Sequence, residues 1–263
     1  MLVTRTSLIL ITAALLSQVG CKQPDLDCTS AHGTFAASFD LKKGSADSPC
    51  GGLKVDVLGM QTYFAEGGVN GTPKFAESTV AIRAQYLYAY AYDRLLGSTA
   101  GEDDTMWDWV KQLDKQLGDP DSIGDFKSGV DGEGFCEVPK MSRVDLTLPE
   151  IPEIPAVEDD PATPDVDETD PGAPGQPETT LRYEWDNVKF LVTADAQGTQ
   201  FVADLKFTQN GETCEYHVLG VYPDFGCEVD DDCHADGSPI NPDFAVKCVE
   251  GLCVLKDEPP AYE

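Results

Sequence analysis

Nine cysteines set the terms on which this chain can fold: Cys21, Cys28, Cys50, Cys136, Cys214, Cys227, Cys233, Cys248 and Cys253. Clusters of cysteine either bind metal or form bridges, and the bridges persist in an oxidising, extracytoplasmic compartment. No pair stands at the C-x-x-C spacing of a zinc knuckle, so zinc is the weaker reading. An odd number leaves one cysteine over. Setting Cys21 aside leaves Cys28, Cys50, Cys136, Cys214, Cys227, Cys233, Cys248 and Cys253, enough for four disulfides of about 2–4 kcal/mol each. Eight cysteines allow about 105 connectivities, so the partners are not legible. Sequence proximity groups Cys28 with Cys50 and Cys136 with Cys214, and gathers the last four into a local cluster.

The residues before Cys21 give an independent reason to set it apart. The chain opens with a single positive charge, Arg5, followed by an uncharged apolar run over 8–16 (LILITAALL). That run is far shorter than the roughly 20 residues needed to span a bilayer. A short basic start, a short apolar core and small residues ending at Gly20 describe an export signal over residues 1–20. The stretch Leu15-Leu16-Ser17-Gln18-Val19-Gly20-Cys21 resembles the lipobox of bacterial lipoproteins. Gly20 and Cys21 match it, and Gln18 stands where the pattern has an aliphatic residue. The resemblance implies cleavage before Cys21, a diacylglyceryl group on its thiol and a short tether over 21–27. It also implies a place at the cell envelope, on the outer membrane or cell surface. Lys22, in place of the aspartate associated in some bacteria with inner-membrane retention, points to outward delivery. The rival is cleavage and release, for which no small-x-small site ends nearby.

The formal net charge is −29, from 18 basic and 47 acidic residues. Such a chain repels phosphates, so nucleic acid and anionic headgroups are poor partners. The expected partners are the membrane, through the N-terminal lipid alone, and an unknown protein or envelope polymer. Between Arg143 and Arg182 there is no Lys or Arg. Residues 149–180 are rich in Pro, Asp and Glu and nearly empty of large apolar side chains after Val157. A segment like that cannot bury enough surface to offset its ordering entropy, and reads as a disordered linker or loop. Insertion into one domain is the preferred reading, because the strand meander beyond it, 181–222, is too small to be stable alone.

Period-2 alternation marks strands at 34–41, 53–64, 143–148, 188–194, 201–207 and 213–221, with a hairpin at Asn210-Gly211. Residues 77–96 carry an apolar face at helix-compatible spacing, rich in alanine, and are expected to be a helix. A second helix is expected from the acids at Asp103-Asp104, with Met106, Trp107, Val110, Leu113 and Leu117 on one face and Gly118-Asp119-Pro120 as its stop. The expectation is therefore an α+β fold: an antiparallel sheet with two helices, built from 28–148 and 181–226. The acidic insertion interrupts it, and a small disulfide-rich C-terminal module and tail follow over 227–263. Within that module, Cys227-Glu-Val-Asp-Asp-Asp-Cys233 and Cys248-Val-Glu-Gly-Leu-Cys253 resemble the C-x-x-D-x-D-C and C-x-x-G-x-C halves of small disulfide knots on bacterial surface proteins. As a whole the chain resembles the uncharacterised lipoproteins abundant in myxobacteria, on the strength of the opening Cys28 to Phe39 (CTSAHGTFAASF) after the lipobox. That resemblance implies an address rather than an activity.

No catalytic constellation stands out. The histidines are His32, His217 and His234, and no G-x-S-x-G, H-E-x-x-H, P-loop or G-x-G-x-x-G pattern occurs. A Cys/His pair would need a free thiol, which the even count argues against. The expectation is a non-enzyme with a binding or structural role and no cofactor. Calcium is the one ligand worth carrying: Asp119, Asp121 and Asp125 in one loop and Asp230, Asp231 and Asp232 in another offer hard oxygen donors, though neither follows the EF-hand pattern. Two rivals stay open, a calcium-dependent adhesion or recognition module and an extracytoplasmic hydrolase with a dispersed site.

Overall fold

The computed structural model describes residues 26–67, 73–87, 120–127, 129–148 and 177–262, with isolated positions at 150, 153 and 175. Nine strands make one antiparallel sheet: β1 (Gly33–Lys43), β2 (Val55–Ala65), β3 (Lys74–Ala84), β4 (Ser122–Asp125), β5 (Phe135–Lys140), β6 (Val144–Leu148), β7 (Thr179–Val192), β8 (Gln197–Gln209) and β9 (Glu212–Val221). Their order is β4-β3-β2-β1-β9-β8-β7-β5, and β6 continues the line of β5 along the first half of β7. The two ends of this path meet. Lys127 N donates to Glu137 O at 2.7 Å and Ser142 N to Ile123 O at 2.7 Å, so the sheet curls into a barrel with β4 against β5. Closure leaves few open edges and gives every strand one interior face.

Alternation decides which side chains go in. In β9, Cys214, Tyr216 and Val218 are buried while Glu215, His217 and Leu219 between them are less so. In β8 the same register buries Phe201, Ala203, Leu205 and Phe207 and leaves Asp204 and Lys206 outside. Asn210 and Gly211, both at positive φ, turn β8 into β9, a conformation that Asn-Gly adopts with little strain. The interior holds two aromatic groups. At one end Phe126, Phe190, Phe201 and Phe35 follow one another with ring centroids 5.7 Å apart. At the other, Phe207 meets Tyr183 at 4.8 Å and Tyr86 at 6.2 Å. Each fully buried ring contributes roughly 1.5–3 kcal/mol. Gly220 sits directly across from Phe201, and a Cβ there would lie 1.9 Å from that ring. The missing side chain is the space the ring occupies.

The registers also show which connections share an end. The starts of β1, β3, β5 and β8 lie with the ends of β2, β7 and β9. We call this the entry end, because residues 28–31 cross it: Ser30 N donates to Thr62 Oγ1 at 2.9 Å and Ala31 N to Gly198 O at 2.9 Å. Gly198, at φ 70°, lets that crossing pass so close that a Cβ would lie 2.4 Å from Thr29 O. The far end carries the Asn210–Gly211 hairpin. It is also the end from which the chain leaves β3 at Ala84, and leaves β6 at Leu148 to return at Thr179.

A second, smaller core lies outside the barrel wall. The hairpin of β10 (Val246–Val249) and β11 (Leu252–Leu255) packs its apolar residues, with Ile240, Phe244 and Ala261, on Ala36, Leu191 and Val221 of the sheet's outer face. Buried Gln200 fastens the tail, donating to Ala261 O and accepting from Ala261 N.

The expected α+β fold with two helices is not what the chain adopts. The sheet is the body of the molecule, and helix among the described residues is confined to Gln85–Leu87 and two short 3-10 turns, Pro49–Gly52 and Asp230–His234. Residues 77–84, expected to open a helix, complete β3 instead. Its Ser78, Val80, Ile82 and Ala84 are buried on alternation, and it pairs with β2 from Leu58↔Ala84 to Phe64↔Ser78. Alanine's helix propensity is a weak preference and was overridden by this ladder and the β-branched residues in it. The second expected helix lies outside the described residues, as do residues 1–25. The disulfide-rich C-terminal module is present.

Candidate functional site

Eight cysteines form four disulfides, and only their pairing differs from what proximity suggested. Cys28 bonds Cys136 and Cys50 bonds Cys214, with sequence separations of 108 and 164. Cys28–Cys136 ties the crossing segment to β5 at the entry end. Cys50–Cys214 ties the β1–β2 connection to β9 near the far end. The knot pairs within itself, Cys227 with Cys248 and Cys233 with Cys253. Proximity failed for the first four because neighbours in sequence lie at opposite ends of the barrel. Cys227, Cys233 and Cys253 also bring three sulfurs close enough for a metal, but all three are bonded to other sulfurs and none is a thiolate.

The acidic candidates have work of their own. Asp121 takes a bidentate fork from Arg83, with Nε to Oδ1 at 2.5 Å and Nη2 to Oδ2 at 2.6 Å. Asp125 accepts from Thr79 Oγ1 at 2.8 Å across the β3–β4 pair. Asp230 accepts from Cys248 N at 2.8 Å. Asp232 accepts from Glu228 N at 2.7 Å and Val229 N at 3.0 Å, and these backbone donors hold its carboxyl below the usual range. Asp231 is exposed beside them, and Asp119 lies outside the described residues. Among the described residues no three carboxylates converge on one point. The aspartates act locally as turn and strand fasteners.

The histidines are dispersed. His32 Nδ1 lies 3.5 Å from Gln61 Nε2, and His234 Nε2 lies 3.3 Å from Val246 O. His217 has the richer surroundings: Nδ1 is 3.5 Å from Asp204 Oδ1, and Nε2 is 3.0 Å from Glu258 Oε1 but out of hydrogen-bond alignment. The registers set Asp186, Asp204, His217 and Asp40 in one row across four strands. A hollow of about 400 Å³ beside this row is lined by Lys42, Asp186, Asn187, Asp204, Lys206 and Glu215 among others. Among the described residues, the hydrogen-bond and ion-pair neighbours of His217 are carboxylates.

The most unusual chemistry lies inside the far end, where the sequence reading placed nothing. Asp56 in β2 shares the inward parity of Leu58 and Met60. It accepts from Tyr86 N at 3.0 Å and from Val57 N at 2.8 Å. Burial outweighs these bonds and pushes its pKa up to about 7. Tyr183 of β7 lies within reach of its charge, fully buried, with a hydroxyl that finds no hydrogen-bond partner among the described residues. Burial, and then the charge of Asp56, drives that phenol well above its ordinary value. A carboxyl on the apolar parity of strand 53–64 was the signal that could have found this pair.

The model of the MlpA family matches residues 33–223, the whole barrel from β1 to just past β9. The chain belongs to the MlpA family. The family's extent takes in both long far-end connections and leaves out the entry crossing and the C-terminal knot, which starts at Cys227 just past the match. A relative from Myxococcus xanthus, named "Putative lipoprotein MlpA", is 37% identical over 95 residues, covering 32% of this chain and 40% of that protein. The match therefore spans less than half of that relative's length. This agrees with the myxobacterial resemblance read from the opening at Cys28. Among solved structures, the dehydratase domain of RzxB from Pseudomonas fluorescens aligns over 82% of this chain and 84% of that one, at 12% identity and a TM-score of 0.14. A score that low bears on neither fold nor chemistry.

Proposed function

We propose that this MlpA-family protein is an exported lipoprotein, anchored by a diacylglyceryl group on Cys21, whose barrel has a non-catalytic binding or structural role at the cell envelope. The observation that carries the reading is the disulfide set. Eight of nine cysteines are consumed in four bridges, and the ninth is the one that follows the signal-like run ending at Gly20. The Myxococcus xanthus relative is named a lipoprotein, which supports the same address. Lys22 favours outward delivery to the outer membrane or surface. The non-catalytic role rests on the separation of the three histidines and on carboxylates committed to backbone and arginine donors. The expected partner is a protein or envelope polymer.

The deciding experiment is the intact mass of the protein extracted from native membranes, before and after reduction. A chain starting at Cys21 with acyl chains, gaining about two mass units for each of four bridges on reduction, supports the proposal. An unacylated chain, or one cut elsewhere, overturns it.

A further inference from the structure

If Cys21 is the anchor, the structure also says how the barrel meets the membrane. Leu26 already packs against the barrel core, and Cys28 is buried and bonded to Cys136. Ser30 and Ala31 are then fastened to Thr62 and Gly198. The chain therefore has no slack beyond Leu26. Five Cα steps separate Cys21 from Leu26, and fully extended they reach about 18 Å. The barrel is longer than that: β8 alone, Gln197–Gln209, rises by roughly 40 Å along its strand, or about 30 Å along the axis at an ordinary strand tilt. The entry end is thus held close to the bilayer, and the Asn210–Gly211 end cannot replace it there.

The charges at that end leave the tether as the element that holds it to the surface. At the entry end Lys74 is paired with Glu77 and Lys127 with Glu137, amid the exposed acids Asp27, Glu66, Asp131 and Glu133. Among the described residues no basic patch stands there to hold this end by charge.

We propose that the tether holds the barrel by its entry end, with the face formed by residues 26–31 and the β4–β5 connection nearest the lipid surface. The far end, with the Asn210–Gly211 hairpin, lies farther from it. This rests on the lipid-anchor reading, and the test separates the two. The acylated protein is purified, its mass checked for the lipid, and reconstituted into vesicles of neutral and anionic phospholipid carrying an energy-acceptor headgroup. A fluorophore is placed through a click-reactive residue at Glu133, on the entry end, or at Glu212, beside the far hairpin. Both positions are exposed. Transfer from position 133 should exceed that from position 212 at least twofold. Inserting about twenty Gly/Ser residues after Pro24 should bring the ratio toward one. Equal or reversed transfer with the native tether, from a chain whose mass includes the lipid, overturns the orientation and leaves the anchor standing. A chain without the lipid overturns both.

Discussion

The two ends of this barrel solve opposite problems. The entry end is closed: a crossing segment, the Cys28–Cys136 bridge and a run of four phenylalanine rings fill it, and the buried Ser30 and Thr62 satisfy one another. The far end keeps a carboxyl with a raised pKa beside a phenol with no partner among the described residues, and it sends out both long connections. One end is built for stability. The other tolerates polar groups that cost free energy, the usual mark of a place where a fold does something besides hold together.

The contrast is most easily broken by emptying the closed end. Phe201 is fully buried, touches Phe35 and Phe190, and fills the space left by Gly220. Phe201→Ala should cost about 3–5 kcal/mol in denaturant unfolding, the range for a large aromatic removed from a rigid core. Phe207→Ala, at the far end, should cost less. An equal or larger loss at Phe207 would mean that the far end is packed as tightly as the entry end.

Next in size is the staple. Replacing Cys28 and Cys136 together by serine removes a long-range cross-link, and about 2–4 kcal/mol should go with it. Hydrogen exchange should quicken first at Ser30, Ala31 and Gly198 and leave the β8–β9 hairpin amides unchanged. Acceleration spread evenly over the sheet would show that the bridge stabilises the whole barrel rather than its entry.

The strands were legible wherever one face of the sheet met water, because Phe201 to Phe207 and Thr213 to Val221 alternate as a half-buried strand must. The barrel was not, because closure depends on Lys127 and Ser142 reaching across from β4 to β5, a contact between short strands that carry little pattern of their own. The same blindness hid Cys28–Cys136: its partners meet only once the sheet has curled. The span over 77–84 was misread because alanine suits a helix and the pairing that claims it is more than a dozen residues away in sequence. Asp56 was passed over in a strand whose pattern was otherwise read correctly.

A third test concerns that carboxyl. Its folded pKa, about 7, lies above the ordinary aspartate value near 4, so between those limits the folded protein binds the proton and the unfolded chain does not. Stability from this group is therefore present in full below about pH 4, falls as pH rises through the window, and levels off above about 7. Asp56→Asn can still accept from Tyr86 N and Val57 N, and it removes the titration. Relative to the wild type it should gain about 1–3 kcal/mol between pH 4 and pH 8, a discounted figure because the residue is only part-buried. A difference that stays flat with pH would mean that water reaches Asp56, and the far end would lose its distinction.

The smallest effect is expected outside, and it locates the contrast. The outer wall carries ion pairs at both ends: Lys74 with Glu77 at 3.2 Å near the entry, and Lys43 with Glu215 at 2.8 Å toward the far end, in a row that continues to Lys206 and Glu184. All of these charged groups face solvent, where water screens the attraction and long side chains lose entropy on pairing. Glu77→Gln and Glu215→Gln should each cost roughly 0.2–1 kcal/mol at low salt and almost nothing at 1 M salt. Equal small losses would mean that the ends differ only in what they enclose. A clearly larger loss at Glu215 would place part of the difference in the outer wall, where the row of Asp186, Asp204, His217 and Asp40 runs alongside.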